Sequence, residues 1–202
     1  MEKLRTIDLT YGAVFIGLMA IGANISTWLP FLSVPIGGTM VPVSLQTFFA
    51  ILAGLLLGSR LGAFSMLAYL LVGVAGVPVF AQMKSGLFEI VGNTGGFLIS
   101  FVFVAWIAGK VVEWRKNEEK STLFLASFAG LIMNYGIGTN FMYIALNTWL
   151  DVNISFSAAW IGMGPFFVKD FALAILIAAF LPSFITRLRQ ATSLPQFYTK
   201  AS

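Results

Sequence analysis

The sequence predicts an all-α integral membrane protein, a six-transmembrane-helix bundle in a single domain spanning 1–202. Three observations carry that reading. The chain is 58% hydrophobic and only 10% charged, whereas soluble domains carry about 25% charged residues. Its mean hydropathy is +0.91. Its apolar residues gather into runs that approach or reach the roughly 17–25 residues a spanning helix needs.

The elements follow in order. Residues 9–29 carry no charge and predict the first helix. Pro30, Pro35 and Pro42, with Gly37 and Gly38, then mark a loop. Residues 43–59 predict the second helix, ended by "GSRLG", and 61–80 the third. The polar, Gly-rich "QMKSGLFEIVGNTGG" reads as a loop, and 95–113 as the fourth helix. "KVVEWRKNEEK" reads as a solvated hairpin before the fifth helix, 123–148. "DVNISFSAAWIGMG" is the next expected loop. Pro165 suits the first position of a sixth helix, 165–187, where its missing N–H costs nothing. The first apolar run has no A-x-A-like cleavage site behind it and is read as retained.

Six helices place both termini on one side. Ten of the twelve Lys and Arg residues then share that side: Lys3, Arg5, Arg60, Lys110, Arg115, Lys116, Lys120, Arg187, Arg189 and Lys200. Such an excess marks the cytoplasm, so the termini are expected there, in a multi-pass protein of the cell membrane. The net charge of +4 is therefore a matter of topology, and nucleic-acid binding is not expected. Only Lys84 and Lys169 remain on the outer side, with Glu89, Asp151 and Asp170. Trp28, Trp149 and Trp160 fall there too, and an interfacial aromatic belt accounts for most of them.

Much chemistry is excluded. The chain has no Cys and no His, hence no disulfide or thiol chemistry and no imidazole metal ligand. It lacks G-x-x-x-x-G-K-[ST], H-E-x-x-H and G-x-S-x-G. No catalytic or metal site is expected. The stretch "FFVKDFALAIL" instead draws attention, because Lys169 and Asp170 interrupt an apolar helix. Ionisable residues at membrane depth mark functional sites. Adjacent helical residues point about 100° apart, so the two are expected to make separate contacts rather than one salt bridge. A carrier driven by protons usually buries several titratable groups along its path. Here only Asp170 is available, so a partner is expected to supply energy. On the first helix, Ala13, Gly17 and Ala20 form a small-residue stripe that permits close backbone approach. It suits either packing within the bundle or docking of a partner.

The run "VPVSLQTFFAILAGLLLGSRLGAFSMLAYLLVGVAGVPVF" resembles the BioY family, the biotin-binding S components of energy-coupling factor (ECF) transporters. The matching residues are Pro42, Leu45-Gln46-Thr47, Leu52-Ala53-Gly54, Leu57-Gly58, Gly62, Tyr69, Gly73, Gly76 and Pro78-Val79-Phe80. "NTGGF" and Asp170 extend the likeness over most of the chain. The resemblance implies a six-helix fold with cytoplasmic termini and a vitamin pocket near the outer face. It implies partners: a transmembrane coupling protein and two ATPase subunits that consume ATP, with no cofactor on this chain itself. It also implies docking through the first helix, where Ala13-x-x-x-Gly17 matches the family's A-x-x-x-A. Two departures stand out. The family's last helix commonly reads G-D-x-x-K, but Leu173 stands at the lysine position and Lys169 precedes the Asp. Asn93 replaces the usual Pro.

The expected ligand site follows from biotin's chemistry. An ionised Asp170 suits a ureido N–H. Gln46 or Gln82 completes the ureido contacts. Lys169 or Lys84 meets the carboxylate, Asn93 adds a polar group, and Tyr69 and Phe80 pack on the fused rings. Rival readings are an S component for another small acid such as dethiobiotin or lipoate, and a stand-alone proton-coupled carrier.

Overall fold

The computed structural model describes residues 6–29, 33–36 and 39–191; for 33–36, 39–42 and 188–191 it describes the backbone only. Lys3, Arg5 and Lys200, and the loop positions Pro30, Gly37 and Gly38, lie outside the described residues. The elements are α1 (Thr6–Trp28), β1 (Ser33–Ile36), β2 (Thr39–Pro42), α2 (Gln46–Val74), α3 (Leu87–Val91), α4 (Gly95–Arg115), α5 (Lys120–Thr148), α6 (Phe156–Gly162) and α7 (Gly164–Ala191). Five of them are long and apolar enough to cross a membrane: α1, α2, α4, α5 and α7. The protein is a helical membrane protein.

The helices expected at 43–59 and 61–80 both fall in α2, which stops at Val74. Gly58 interrupts it with φ 81° and ψ 171°, a conformation open essentially to glycine alone. The chain reverses there. A Cβ on Gly62 would lie 2.9 Å from the Ala53 carbonyl oxygen, whereas nine residues of unbroken helix would separate the two by about 13 Å. The reversal exposes the first N–H groups of the second half, which have no intrahelical partner. Glu113 of α4 supplies one: its Oε1 accepts the Ser59 N–H at 2.8 Å. Lys110 lies 3.5 Å from the same carboxylate.

Glycine also sets how closely α2 meets α4. A Cβ on Gly54 would fall 2.2 Å from the Ala105 carbonyl oxygen, and one on Gly109 would fall 2.3 Å from the Ser59 nitrogen. Side chains here would wedge the backbones apart, as at small-residue helix contacts in membranes generally. Met19, Ile51, Leu55, Met66, Val104, Leu123 and Leu131 fill the core around this contact.

Two expectations about loops change. The all-α reading misses an antiparallel ribbon in which Ser33 pairs with Pro42 and Ile36 with Thr39. Proline tolerates such a ribbon because each strand has one unpaired edge. The expected loop after α5 contains α6, whose Ser155 hydroxyl caps it by accepting the Ala158 N–H at 3.1 Å.

Gly109→Ala is expected to cost about 1–3 kcal/mol, the range for overpacking a tight contact. The unfolding midpoint of the purified protein in detergent should fall by several degrees; an unchanged midpoint would show that α4 can move away from Ser59 freely.

Candidate functional site

The starts of α2, α4 and α7 and the middle of α5 enclose a cavity of about 420 Å³. That size suits a small-molecule site, for which roughly 300–1,000 Å³ is usual. Aromatic and aliphatic side chains form its walls: Phe80, Phe97, Leu98, Phe101, Met142 and Phe166. Gln46, Thr47, Asn134, Tyr135 and Asp170 put polar atoms into it from buried positions. Gln82, Lys84 and Asn93 line it from exposed positions and mark its mouth.

Asp170 is 4% exposed. The Tyr135 hydroxyl donates to its Oδ2 at 2.8 Å. Lys169 approaches its Oδ1 to 2.7 Å and also donates to the Ser44 carbonyl. The expectation of two separate contacts for Lys169 and Asp170 is thus overturned: they form one ion pair. Their Cβ atoms do diverge around the helix, but the lysine stem is long and flexible enough to fold back over the cavity. A carboxylate oxygen can accept more than one donor, so Oδ1 keeps acceptor capacity beside Lys169. An ionised carboxylate lining a largely apolar cavity is a strong acceptor for a ligand N–H.

Gln46 is held at both ends. The Ser44 hydroxyl donates to its Oε1 at 2.9 Å, and its Nε2 donates to the Tyr69 hydroxyl at 3.0 Å. Tyr69 in turn donates to the Val79 carbonyl at 2.9 Å. Tyr69 therefore does not fit the role of a ring-stacking residue. It is fully buried outside the cavity lining, where it orients Gln46 and packs edge-on against Phe80, with ring centroids 5.6 Å apart. Phe80 does line the cavity. One N–H of the Gln46 amide is not used by these bonds, since a primary amide offers two.

The segment after α2 carries Gln82 and Lys84 on an unusual backbone. Gln82 and Met83 have φ of 60° and 57°, uncommon for residues with a side chain. Asn24 of α1 holds the turn by accepting the Met83 N–H at 2.7 Å, and Phe80 donates to the Lys84 carbonyl at 3.0 Å. Lys84 lies 3.8 Å from Glu89 on α3.

Sequence reasoning missed Asn134, Tyr135 and Thr47. Asn134 bridges three helices: Ser100 lies 2.7 Å from its Oδ1, and its Nδ2 donates to Thr47 at 3.2 Å. The available signal was the polar pair Asn134-Tyr135 inside the longest apolar run. Far from the cavity, Ala13 and Gly17 are exposed and Ala20 is half-buried; a Cβ on Gly17 would meet nothing within 4 Å.

A helical membrane bundle with an aromatic-walled cavity and a buried carboxylate in it is a solute-binding membrane protein. Comparison with known proteins narrows the class. A family model described as the BioY family matches residues 1–190. The putative biotin transporter BioYB of Bacillus subtilis is 42% identical over 191 residues, covering 95% of this chain and 94% of that protein. The biotin transporter BioY of Thermotoga maritima is 32% identical over 172 residues, covering 85% and 93%. The crystal structure of the S-component for biotin from an ECF-type ABC transporter aligns with a TM-score of 0.70 at 25% identity, covering 98% of this chain and all of that one. The chain belongs to the BioY family, whose named members are transport proteins and not enzymes.

Asn24→Ala is expected to leave the fold intact but free the Met83 N–H. Losing a partly buried hydrogen-bond partner costs about 1–3 kcal/mol, so hydrogen exchange at residues 79–84 should quicken roughly fivefold or more while the core of α4 stays protected. Unchanged exchange there would mean that Asn24 does not hold the turn.

Proposed function

We propose that this protein is the biotin-binding membrane subunit of an ECF transporter: it captures the vitamin at the outer face and delivers it inward with an ATP-driven module. One observation carries the ligand reading beyond family membership. Asp170 presents a buried carboxylate with spare acceptor capacity to a cavity walled largely by aromatic side chains. Biotin needs that combination: an acceptor for a ureido N–H, a second polar group for the ureido carbonyl, and apolar walls for the fused rings and the valerate chain.

In this reading the ureido group lies deep, one N–H on Asp170 Oδ1. Tyr135 holds the other carboxylate oxygen, and so keeps Asp170 turned toward the ligand. The spare Gln46 N–H suits the ureido carbonyl. Phe80, Phe97 and Phe166 flank the rings, and the carboxylate points to the mouth, where Gln82, Lys84 and Asn93 lie. A site that satisfies each ligand donor rejects analogues lacking one, because its own buried groups would be left unpaired.

The topology is proposed as six spans, with the two halves of α2 counted separately. The reversal at Gly58 supports this, since it returns the chain to the side on which it began. Both termini then lie with the basic residues, on the cytoplasmic side. The partners are a transmembrane coupling protein and two ATPase subunits, with Ala13, Gly17 and Ala20 as the docking stripe. The exposure of Ala13 and Gly17 supports an external role for that stripe.

Two experiments test these assignments. Asp170→Ala should weaken biotin binding well over tenfold in calorimetry of the purified, folded protein; near-normal affinity would remove Asp170 from the site. Ala13→Trp or Gly17→Trp should leave biotin affinity intact and abolish uptake by cells that contain the energising module. Undiminished uptake would exclude docking through this face.

A further inference from the structure

Four charged side chains line the cavity: Lys84, Glu89, Lys169 and Asp170. Their formal charges cancel, so a monoanionic ligand leaves the site one negative charge in excess. The two cations are not equally free to respond. Lys169 is committed to Asp170 at 2.7 Å and to the Ser44 carbonyl. Lys84 has a looser partner, Glu89 at 3.8 Å, and its side chain is 52% exposed. Pairs of that kind hold weakly.

The backbone on both sides of this pair is anchored. Asn24 grips Met83 and Phe80 bonds to Lys84. The Trp149 indole of the α5 end donates to the Val91 carbonyl at 2.7 Å and so ties down α3. The roots of Lys84 and Glu89 are therefore fixed while their charged ends are free to re-pair.

We infer that Glu89 is a stand-in anion: it holds Lys84 at the mouth of the free site and yields it to the carboxylate of the entering ligand. Glu89 thereby sets the preference between anionic and neutral ligand tails. It competes with an anionic tail for Lys84 and repels it, but has no such effect on a neutral one. Lys84, rather than Lys169, is then the cation for the ligand carboxylate. This rests on the biotin reading and adds a specificity-determining residue to it.

Calorimetry of the full chain in detergent, with biotin and its neutral carboxamide as probes, tests the exchange. Glu89→Gln should raise the ratio of acid to amide affinity by roughly twofold to fivefold, the scale of one partly exposed charge pair. Lys84→Gln should lower that ratio by at least as much. Amide binding reports that the site is folded; should Glu89→Gln lose it, Glu89→Ser carries the same comparison. An unchanged or lowered ratio in the Glu89 variant, or an unchanged one in Lys84→Gln, overturns the exchange and leaves the biotin reading standing. If the unaltered protein binds neither probe, the biotin reading fails and the inference with it.

Discussion

The buried carboxylate of Asp170 is the constraint around which one end of this bundle is organised. A charge taken out of water must find compensation, and removing one partner of such a pair typically costs about 3–5 kcal/mol. Here two groups supply the compensation, and a third holds one of them in place. Tyr135 reaches it from α5, Lys169 folds back along α7, and the Ser44 carbonyl ties that lysine to the start of α2. Three helices thus meet at one charge. Because a carboxylate oxygen can accept more than one donor, the arrangement neutralises the carboxylate while keeping an acceptor for a ligand.

The rest of the polar lining is held by similar relays. Gln46 is oriented by Ser44 and Tyr69, and Tyr69 by the carbonyl of Val79. Asn134 binds α2, α4 and α5 together. Each fixed partner pre-orients a cavity group, which lowers the ordering cost on ligand arrival. At the other end of the bundle the same economy uses fewer parts: a glycine reverses the chain, and Glu113 satisfies the N–H that the reversal uncovers.

Some of this was legible in the sequence for plain reasons. Uninterrupted apolar runs can only be spans or core helices, so α1, α4, α5 and α7 follow from their length. Gly58 stood inside "GSRLG", where a break was expected. Lys84, Lys169 and Asp170 were conspicuous because charges are rare in such a chain. Asn134 and Tyr135 were not, because single neutral polar residues in a long apolar helix usually face a neighbouring backbone, and only the fold shows which. Tyr69 was misread for a related reason: an aromatic ring next to a predicted site can line it or brace it, and composition does not distinguish the two.

By itself, then, the sequence determined the membrane class, most of the long helices and the family, because these depend on composition, period and local motif. The tertiary structure decided which polar groups share a cavity, that Lys169 pairs with its neighbour, and that Lys84 faces Glu89. Those outcomes turn on how helices cross and how flexible side chains fold back, distances that arise only once glycine contacts bring separate parts of the chain together.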